Sequence, residues 1–353
     1  MRPTLRISKS KLLDNAKKVV ARAGDKGIDI TAITKCTTGH IEVAQTFVDG
    51  GVKALGDSRL ANLKKYQELN HEKWLIRMPM ISEAEDAVKY STISVNSELA
   101  TVTALNDAAI KLNKKHRILL MIDLGDLREG YIDDNMLFAD VEGMLKLKNI
   151  EISGIGVNMT CLGTIIPKPE TYDRFREIQY KLQQKYDVAC EIVSGGNSSS
   201  YYMIENNTIP NFITNLRLGE MLLIGREAAY FEEYDYLNHD TFMLETEVIE
   251  AKEKPSFPVG EKGRDAFGKE KTFVDIGIRK RIICALGRQD TIPEDLFPLD
   301  DKMTLVGASS DHIVMDVSDS DVNYRIGDVV TFRCNYQSAL FASTSEYVET
   351  IIE

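Results

Sequence analysis

Eight short apolar runs, each long enough for one β-strand, alternate with helix-period segments between about residue 10 and residue 230. Eight strand–helix units within about 220 residues match the length and pattern of a (β/α)8 barrel. An open, doubly wound sheet shows the same alternation, but it rarely has eight units without a G-x-G-x-x-G turn after its first strand. We therefore predict an α/β fold with a TIM-type barrel over residues 10–230. The predicted strands are 29–35, 53–57, 73–78, 91–96, 117–123, 152–158, 190–194 and 213–217.

The chain beyond residue 235 has a different pattern. β-rich segments such as "KTFVDIGIRKRIICALG" and "GDVVTFRCNY" follow one another between Pro, Gly and Asp turns, without a long helix pattern among them. We predict a C-terminal all-β domain over residues 236–353, to which the segment 3–8 adds an N-terminal strand.

The composition excludes several classes of function. The 353-residue chain has a net charge of −11 and no long basic run, which argues against nucleic acid as a partner. Its apolar runs are too short to cross a bilayer, and its first residues lack the apolar segment of a secretion signal. The five cysteines and five histidines are scattered, without C-x-x-C or H-E-x-x-H. These features predict a cytoplasmic protein with neither disulfides nor a metal site.

A lysine ends the first predicted strand, in "DITAITKCTTGH" at 29–40. If strand alternation continues, Lys35 shares one face with Thr31 and Ile33. A lysine at a strand end commonly marks the point where the strand reaches water. In a barrel, however, the loops after the strands form the active site. Lys35 is therefore a candidate reactive amine.

Three other strand ends carry groups that suit an anionic ligand. Strand five runs into "DLGDLREG", with Arg128, and strand eight ends in "NLRLGE", with Arg217. Strand seven ends in "SGGNSSS" at 194–200, a glycine-rich turn before a predicted helix. Such a turn is either a phosphate site or a turn with an N-cap serine. Its position favours phosphate, which barrels commonly bind after strands seven and eight.

A lysine on strand one and a phosphate site on strands seven and eight suggest a phosphorylated aldehyde held as a Schiff base. Pyridoxal 5′-phosphate (PLP) fits this description. An ammonium group that is desolvated inside a barrel has a lowered pKa, which makes the amine a nucleophile near neutral pH.

The order of these motifs resembles the fold type III, PLP-dependent amino-acid racemases. The segments "LGDSRLANLKK", "IDLGDLREGY", "GVNMTC", "SGGNSSS", "NLRLGE", "AKEKPSFPVGE", "DAFG" and "GASSDHIVMDV" together are similar to the ornithine racemase branch of that family. The resemblance covers essentially the whole chain. It implies a barrel with a β domain, a small-molecule amino acid as substrate, and a head-to-tail homodimer with shared active sites.

The resemblance also implies roles for individual residues. Lys35 would hold PLP as a Schiff base and act as one of two acid/base groups at the substrate Cα. Arg217 would face the pyridine nitrogen, Arg128 would reach the phenolic oxygen and the substrate, and Asn158 would lie beside the ring. The phosphate would be bound by Ser198, by the backbone amides of Gly219 and Glu220, and by Tyr336.

Arg217 indicates the reaction type. Related decarboxylases have a carboxylate at this position, which keeps the pyridine nitrogen protonated. An arginine cannot supply that proton because it does not titrate in this range. Return of the α-proton is then favoured over decarboxylation or transamination. The alternative for Arg217 is a structural ion pair.

Two positions depart from the alanine racemases. Met121 replaces a lysine, often carbamylated, that orients the arginine equivalent to Arg128, and Asp126 is a candidate for that task here. The second catalytic base of those enzymes is a tyrosine in "GYADG", whereas the matching "LGRQD" at 286–290 has none. Asp290, Asp311 and His312 are the candidates for this second base.

The segment "SSDH" at 309–312 bears on the substrate. It aligns with the loop where related ornithine decarboxylases place an acid against the distal amine of the substrate. Ser310 and Asp311 are therefore candidate substrate-binding residues, with Asp311 pairing with a δ-ammonium group. The alternative for Asp311 is a capping role in a turn.

Three hypotheses for function remain at this stage. An ornithine racemase is favoured, and a racemase of lysine, alanine or several amino acids is its nearest alternative. A non-catalytic PLP-binding protein is a third, since single-domain barrel relatives of that kind resemble residues 10–230. The additional β domain counts against it.

Overall fold

The computed structural model describes residues 2–264, 268, 270 and 272–353, so three residues of "DAFG", 265–267, lie outside the described residues. Contacts divide the chain into two compact units. The barrel unit comprises Lys9–His239, and the β-sheet unit comprises the residues up to Ser8 together with Asp240–Glu353.

The strands of the described residues are β1 Thr4–Ile7, β2 Asp29–Ile33, β3 Ala54–Asp57, β4 Glu72–Leu75, β5 Ile93–Asn96, β6 His116–Ile122, β7 Ile150–Val157, β8 Ile192–Ser194, β9 Asn215–Leu218, β10 Phe242–Pro255, β11 Ile278–Cys284, β12 Leu296–Pro298, β13 Thr304–Ala308, β14 Ile313–Asp316, β15 Val329–Cys334 and β16 Glu349–Ile352. The α-helices are α1 Lys9–Gly24, α2 Ile41–Asp49, α3 Leu60–Lys65, α4 Ala84–Tyr90, α5 Leu99–Lys111, α6 Asp134–Met144, α7 Asp173–Tyr186, α8 Tyr202–Glu205, α9 Glu220–Ile224 and α10 Tyr336–Thr344. Short 3-10 helices cover Lys35–Thr37, Ile81–Glu83, Pro169–Tyr172, Ser198–Ser200 and Pro293–Asp295.

The barrel unit is a closed barrel of eight parallel strands, β2 to β9, so the predicted fold class is confirmed. The barrel closes where β2 pairs with β9, with Thr31 opposite Arg217. Parallel strands covered by helices are buried on both faces, and this explains the continuous apolar runs of the sequence. A buried cluster in this unit consists of Ala54, Trp74, Ile93, Val95, Leu119 and Met121.

The first helix shows how the outer layer packs. In α1 the buried residues are Leu12, Asn15, Ala16, Val19 and Ala23. Their spacing of three and four residues forms one face of a helix, while the intervening lysines stay in water. None of the helices in the described part of the chain has the length and apolar character needed to cross a membrane.

The end of the first barrel strand differs from the prediction. The strand stops at Ile33 rather than residue 35, because Thr34 leaves the extended conformation with φ −90° and ψ 0°. Lys35 then begins a 3-10 helix. Strand alternation therefore does not set the direction of the lysine side chain, and this local turn does.

The β-sheet unit is built on a sheet with the strand order β12-β15-β10-β11-β14-β13. Strand β1 pairs antiparallel with β10 and parallel with β16, so the N-terminal segment is part of this sheet. The unit also contains α10, a nine-residue helix that the prediction of an all-β tail missed. The Asn335 side chain caps it by accepting a hydrogen bond from the Tyr336 backbone N–H at 2.8 Å.

One glycine of the barrel is required by a close approach of two strands. Gly154 on β7 lies opposite Ile192 on β8, and a Cβ atom at residue 154 would lie 1.8 Å from the Ile192 carbonyl oxygen. We expect Gly154→Ala to lower the free energy of unfolding by at least about 2 kcal/mol, since the backbone must move. Gly24→Ala is the control, because nothing lies within 4 Å of that position. Urea denaturation compares them, and equal midpoints would contradict the packing argument.

Candidate active site

The turn that presents Lys35 is held by a buried polar network. Lys35 is half-buried. The preceding Thr34 hydroxyl donates to Asp57 Oδ2 at 2.7 Å and lies 3.0 Å from the Tyr66 hydroxyl. The Thr34 carbonyl oxygen also accepts from the Thr37 backbone N–H at 3.1 Å. The residue before the candidate nucleophile is therefore fixed on both its side chain and its backbone.

Asp57, at the end of β3, is the centre of this network. It has no exposed surface, and its Oδ1 accepts hydrogen bonds from the Arg59 backbone N–H at 2.9 Å and from Asn62 Nδ2 at 3.0 Å. Burial raises the pKa of Asp57, against these hydrogen bonds and the positive charge of Lys35. Asp57 was not among the predicted site residues, because "GDS" is a common turn composition.

Arg217 lies inside the barrel and is only 5% exposed. Its Nη1 donates to Ser194 Oγ at 2.6 Å, and its Nη2 donates to the Val157 carbonyl oxygen at 2.7 Å. Ser194 in turn donates to Asn215 Oδ1, and Asn215 donates to Thr31 Oγ1 at 3.0 Å. Burial lowers the pKa of Arg217 to about 10, so the guanidinium remains a cation near neutral pH.

Arg128 follows β6 and is paired with its neighbour in sequence. Its Nε and Nη2 donate to the two carboxylate oxygens of Glu129. The Asn158 amide, which is buried, lies beside the same guanidinium. In one orientation its oxygen accepts from Arg128 at 2.6 and 3.0 Å, and in the other it accepts from Asn197 Nδ2 at 2.8 Å.

The expectation that Asp126 orients Arg128 is not met by its contacts. The Asp126 carboxylate accepts backbone N–H groups of Cys161 at 3.3 Å and of Leu162 at 3.0 Å. Asp126 therefore anchors the loop after β7, and Glu129 is the acid that contacts Arg128. Sequence reasoning could have considered Glu129, because it is the acid nearest to Arg128 along the chain.

The predicted phosphate-binding residues of the barrel unit come from two neighbouring loops. Ser198 follows β8, and its hydroxyl accepts from the backbone N–H groups of Gly219 at 3.3 Å and Met221 at 3.2 Å. The Glu220 side chain is paired with Arg226, and the predicted role of Glu220 concerns its backbone amide. Ser198 and the Gly219 amide are thus in direct contact before any ligand is considered.

The candidate residues of the β-sheet unit lie on two adjacent loops. The backbone N–H groups of Arg288 and Gln289 donate to the carbonyl oxygens of Ser309 and Ser310 at 2.9 and 3.0 Å. A Cβ at Gly287 would lie 2.2 Å from the Ser310 oxygen. The segments "LGRQD" and "SSDH" are therefore packed side by side, and glycine is required at residue 287.

The side chains on these loops differ in accessibility. Asp290 is 4% exposed, and its oxygens accept from the Gly287 backbone N–H at 3.1 Å and from Ser345 Oγ at 2.9 Å. The His312 side chain is 43% exposed, and its Nδ1 lies 2.8 Å from Asp311 Oδ1. The hydrogen bond to His312 lowers the pKa of Asp311. Tyr336, the remaining predicted residue, is half-buried at the start of α10.

The structure thus separates the predicted residues into two groups. In the barrel unit, Lys35, Arg128, Asn158, Ser198, Arg217, Gly219 and Glu220 lie at or beyond the carboxyl ends of the strands, which is where barrel enzymes place their active sites. In the β-sheet unit, Asp290, Ser310, Asp311 and His312 share one pair of loops.

The sequence was compared with those of known proteins. Residues 7–227 match the family described as alanine racemase, N-terminal domain. The chain belongs to this family. It is 46% identical over 349 residues to an ornithine racemase of Acetoanaerobium sticklandii, covering 99% of both chains. It is 40% identical over 354 residues to a lysine racemase of Thermotoga maritima, covering 99% of this chain and 98% of the relative.

A solved structure of the family shows the same fold. The alanine racemase from Bartonella henselae with covalently bound pyridoxal phosphate aligns over 100% of both chains, with a TM-score of 0.76 and 15% sequence identity. The family predicted from the order of motifs is confirmed.

The Asp57 network yields a prediction about stability. Asp57→Ala removes the carboxylate that accepts from the Thr34 hydroxyl, the Arg59 backbone N–H and Asn62 Nδ2, and we expect a loss of about 3 kcal/mol in unfolding free energy. Asp57→Asn should cost less than about 1 kcal/mol, because its amide can still accept from Arg59 and Asn62.

The pH dependence of Asp57→Asn follows from the raised pKa of Asp57. A carboxyl group whose pKa is raised by folding stabilises the fold while it is protonated and loses that contribution as the pH rises. The stability of Asp57→Asn relative to the wild type should therefore be more favourable at pH 7 than near pH 4. Urea titrations at both pH values measure this difference, and the opposite order would contradict it.

Proposed function

We propose that the protein is a PLP-dependent racemase that interconverts L- and D-ornithine. The observation that carries this proposal is the buried Arg217 cation on β9, the strand that pairs with β2, after which Lys35 lies. Two full-length relatives are named racemases of the diamino acids ornithine and lysine, which supports a diamino acid as the substrate. A lysine racemase is the second candidate, because of the Thermotoga maritima relative.

The residues of the barrel unit fit PLP. Lys35 supplies a primary amine for the aldehyde, and Ser198 with the Gly219 backbone N–H supplies donors for a phosphate. Two of the five N–H donors of Arg217 bind Ser194 and Val157, which leaves donors for a pyridine nitrogen. When bound, PLP supplies an electron-withdrawing ring that weakens the Cα–H bond of an attached amino acid.

Lys35 and Arg217 have different proposed roles toward the cofactor and substrate. Lys35 would bind the cofactor and then, as a free amine, remove or return the proton at the substrate Cα. Arg217 would donate a hydrogen bond to the ring nitrogen without transferring a proton, because its pKa of about 10 keeps it charged near neutral pH. This limits the electron-withdrawing power of the ring and favours racemisation over decarboxylation.

Racemisation needs a second acid/base group on the opposite side of Cα. Asp290 is a poor candidate, because it is buried and both of its oxygens accept hydrogen bonds within its own unit. His312 is accessible, and its hydrogen bond to Asp311 favours one tautomer of the ring. We therefore assign the second role to His312.

Asp311 can accept a hydrogen bond from the substrate in addition to the one from His312. A carboxylate has about four acceptor positions, and the described contacts of Asp311 Oδ1 are with Ser309 and His312. We propose that Asp311 also binds the δ-ammonium group of ornithine, with Ser310 beside it. The family resemblance implies a head-to-tail homodimer with shared active sites in the cytoplasm, and we propose the same arrangement here.

The activity itself is tested with single enantiomers. Holoenzyme incubated with L-ornithine, L-lysine or L-alanine should form D-ornithine fastest, as measured by chiral chromatography. A non-catalytic PLP-binding protein would leave every enantiomer unchanged, and faster turnover of lysine would assign the substrate to the second candidate.

The role of Lys35 is tested in the same assay. Lys35→Ala should lose the absorbance band of the lysine-bound cofactor and lower kcat on the order of 10³-fold, since both the covalent link and a proton-transfer group are removed. Lys111→Ala, which changes an exposed lysine of α5, is the matched control and should keep both. An unchanged spectrum in Lys35→Ala would refute the assignment.

The proposed substrate contact of Asp311 gives a separate prediction. Asp311→Asn should lower kcat/KM for ornithine by about 10-fold or more, because a charge-assisted hydrogen bond contributes roughly 1.5–3 kcal/mol. Any residual turnover of alanine, which has no distal amine, should change much less. Equal losses for both amino acids would remove the case for a δ-ammonium contact.

A further inference from the structure

The structure assigns to Glu129 the task of positioning Arg128 at the barrel rim, the set of loops that follow strands β2–β9. The inference rests on the proposed function, because Arg128 is one of the residues proposed to contact PLP and substrate. It makes Glu129 a positioning residue that acts through Arg128, rather than a catalytic one.

Arg128 and Glu129 form a bidentate contact. Arg128 Nε donates to Glu129 Oε2, and Arg128 Nη2 donates to Glu129 Oε1. A pair of parallel N–H···O bonds fixes the plane of a guanidinium as well as its distance. The Glu129 side chain is 11% exposed, whereas that of Arg128 is 43% exposed. Glu129 is therefore the more buried partner of the pair, and Arg128 is the more exposed one.

The other acids of this loop are committed to backbone groups. Asp123 Oδ1 accepts from the backbone N–H groups of Gly125 at 2.8 Å and Leu127 at 3.2 Å. Asp126 binds the backbone of the loop after β7. Met121, at the position where the alanine racemases carry a lysine, is buried and uncharged. Among the acids of "DLGDLREG", Glu129 is thus the one whose carboxylate contacts the guanidinium.

Glu129 also acts on Arg217. The charges of Glu129 and Arg128 both influence the Arg217 guanidinium. Arg128 repels Arg217, and the attraction by Glu129 is the largest contribution that favours its charged form. Without Glu129, the repulsion between the two cations would lose this opposing charge. Repulsion would then displace the more exposed one, Arg128.

Asn158 completes the restraint on Arg128. In the orientation in which the amide oxygen faces Arg128, it accepts from Nη1 at 3.0 Å and from Nη2 at 2.6 Å. Glu129 therefore holds the Nε–Nη2 edge of the guanidinium, and Asn158 holds its Nη1–Nη2 edge. With both edges held, the guanidinium has one preferred position before any ligand binds.

A double-mutant cycle tests this inference. Glu129→Gln, Arg128→Gln and the double variant are compared with the wild type by kcat and KM for ornithine and by the Kd for PLP added to apo-protein. Glu129→Gln should lower kcat/KM by about 10- to 100-fold through misplacement of Arg128. The double variant should be no worse than Arg128→Gln alone. Losses that multiply in the double variant would overturn the inference.

Conservative variants distinguish a positioning role of Glu129 from a purely structural role. Glu129→Asp keeps the charge and should recover part of the loss, which a purely structural defect would not do. Glu83→Gln removes a carboxylate that pairs with Arg77 at 2.9 Å in the same unit, and it should stay within about twofold of the wild type. If Glu129→Gln does not fold, Arg128→Lys replaces it, since lysine cannot form the bidentate contact. Wild-type kinetics in Arg128→Lys would then overturn the inference.

The readouts distinguish this inference from the proposed function. If the wild type binds PLP but racemises no amino acid, the proposed function fails, and the PLP Kd values still complete the cycle. If the wild type racemises ornithine but the two variants act independently, the inference fails alone.

Discussion

Burial of the Arg217 charge is the constraint around which the barrel site is organised. Removing a guanidinium from water costs several kcal/mol unless its donors are satisfied. Here the Ser194 hydroxyl and the Val157 carbonyl accept from it, and Asn215 with Thr31 extends the network back to β2. Four adjacent strands, β7, β8, β9 and β2, therefore contribute to holding one cation. Those acceptors are uncharged, so the cation is solvated by the protein without a contacting acid among the described residues.

The loops around this cation are shaped by side chains that bind backbone N–H groups. Asp57, Asp123 and Asp126 each accept from the backbone of a loop at the end of a barrel strand. Asn197 does the same for the turn that contains Ser198. These side chains satisfy backbone N–H groups where the strands end, which lets irregular loops stay ordered. The reactive side chains then project from a rigid frame, as positioning of a substrate requires.

Patterns over many residues predicted the fold, whereas contacts of single side chains limited prediction of the site. The eight strands were found because each is buried on both faces, which produces an apolar run whatever its neighbours are. The direction of the Lys35 side chain was not predicted, because it depends on the φ and ψ angles of a single residue, Thr34. The partner of Arg128 was also missed. Asp126 and Glu129 are chemically similar, and only the three-dimensional path of the loop decides which of them meets a guanidinium and which meets backbone N–H groups.

Under the proposed function, the charges at the barrel rim would favour racemisation without a carboxylate at the ring nitrogen. Arg217 and Arg128 would then provide positive charge for an anionic cofactor and for the carboxylate of an amino acid, in a chain whose net charge is −11. Two neighbouring cations repel each other, and that repulsion is strongest where water is excluded. The Glu129 carboxylate opposes it and is hydrogen-bonded to Arg128. Arg217 thereby keeps its charge and its remaining N–H donors, and the acid that stabilises it contacts Arg128 rather than Arg217.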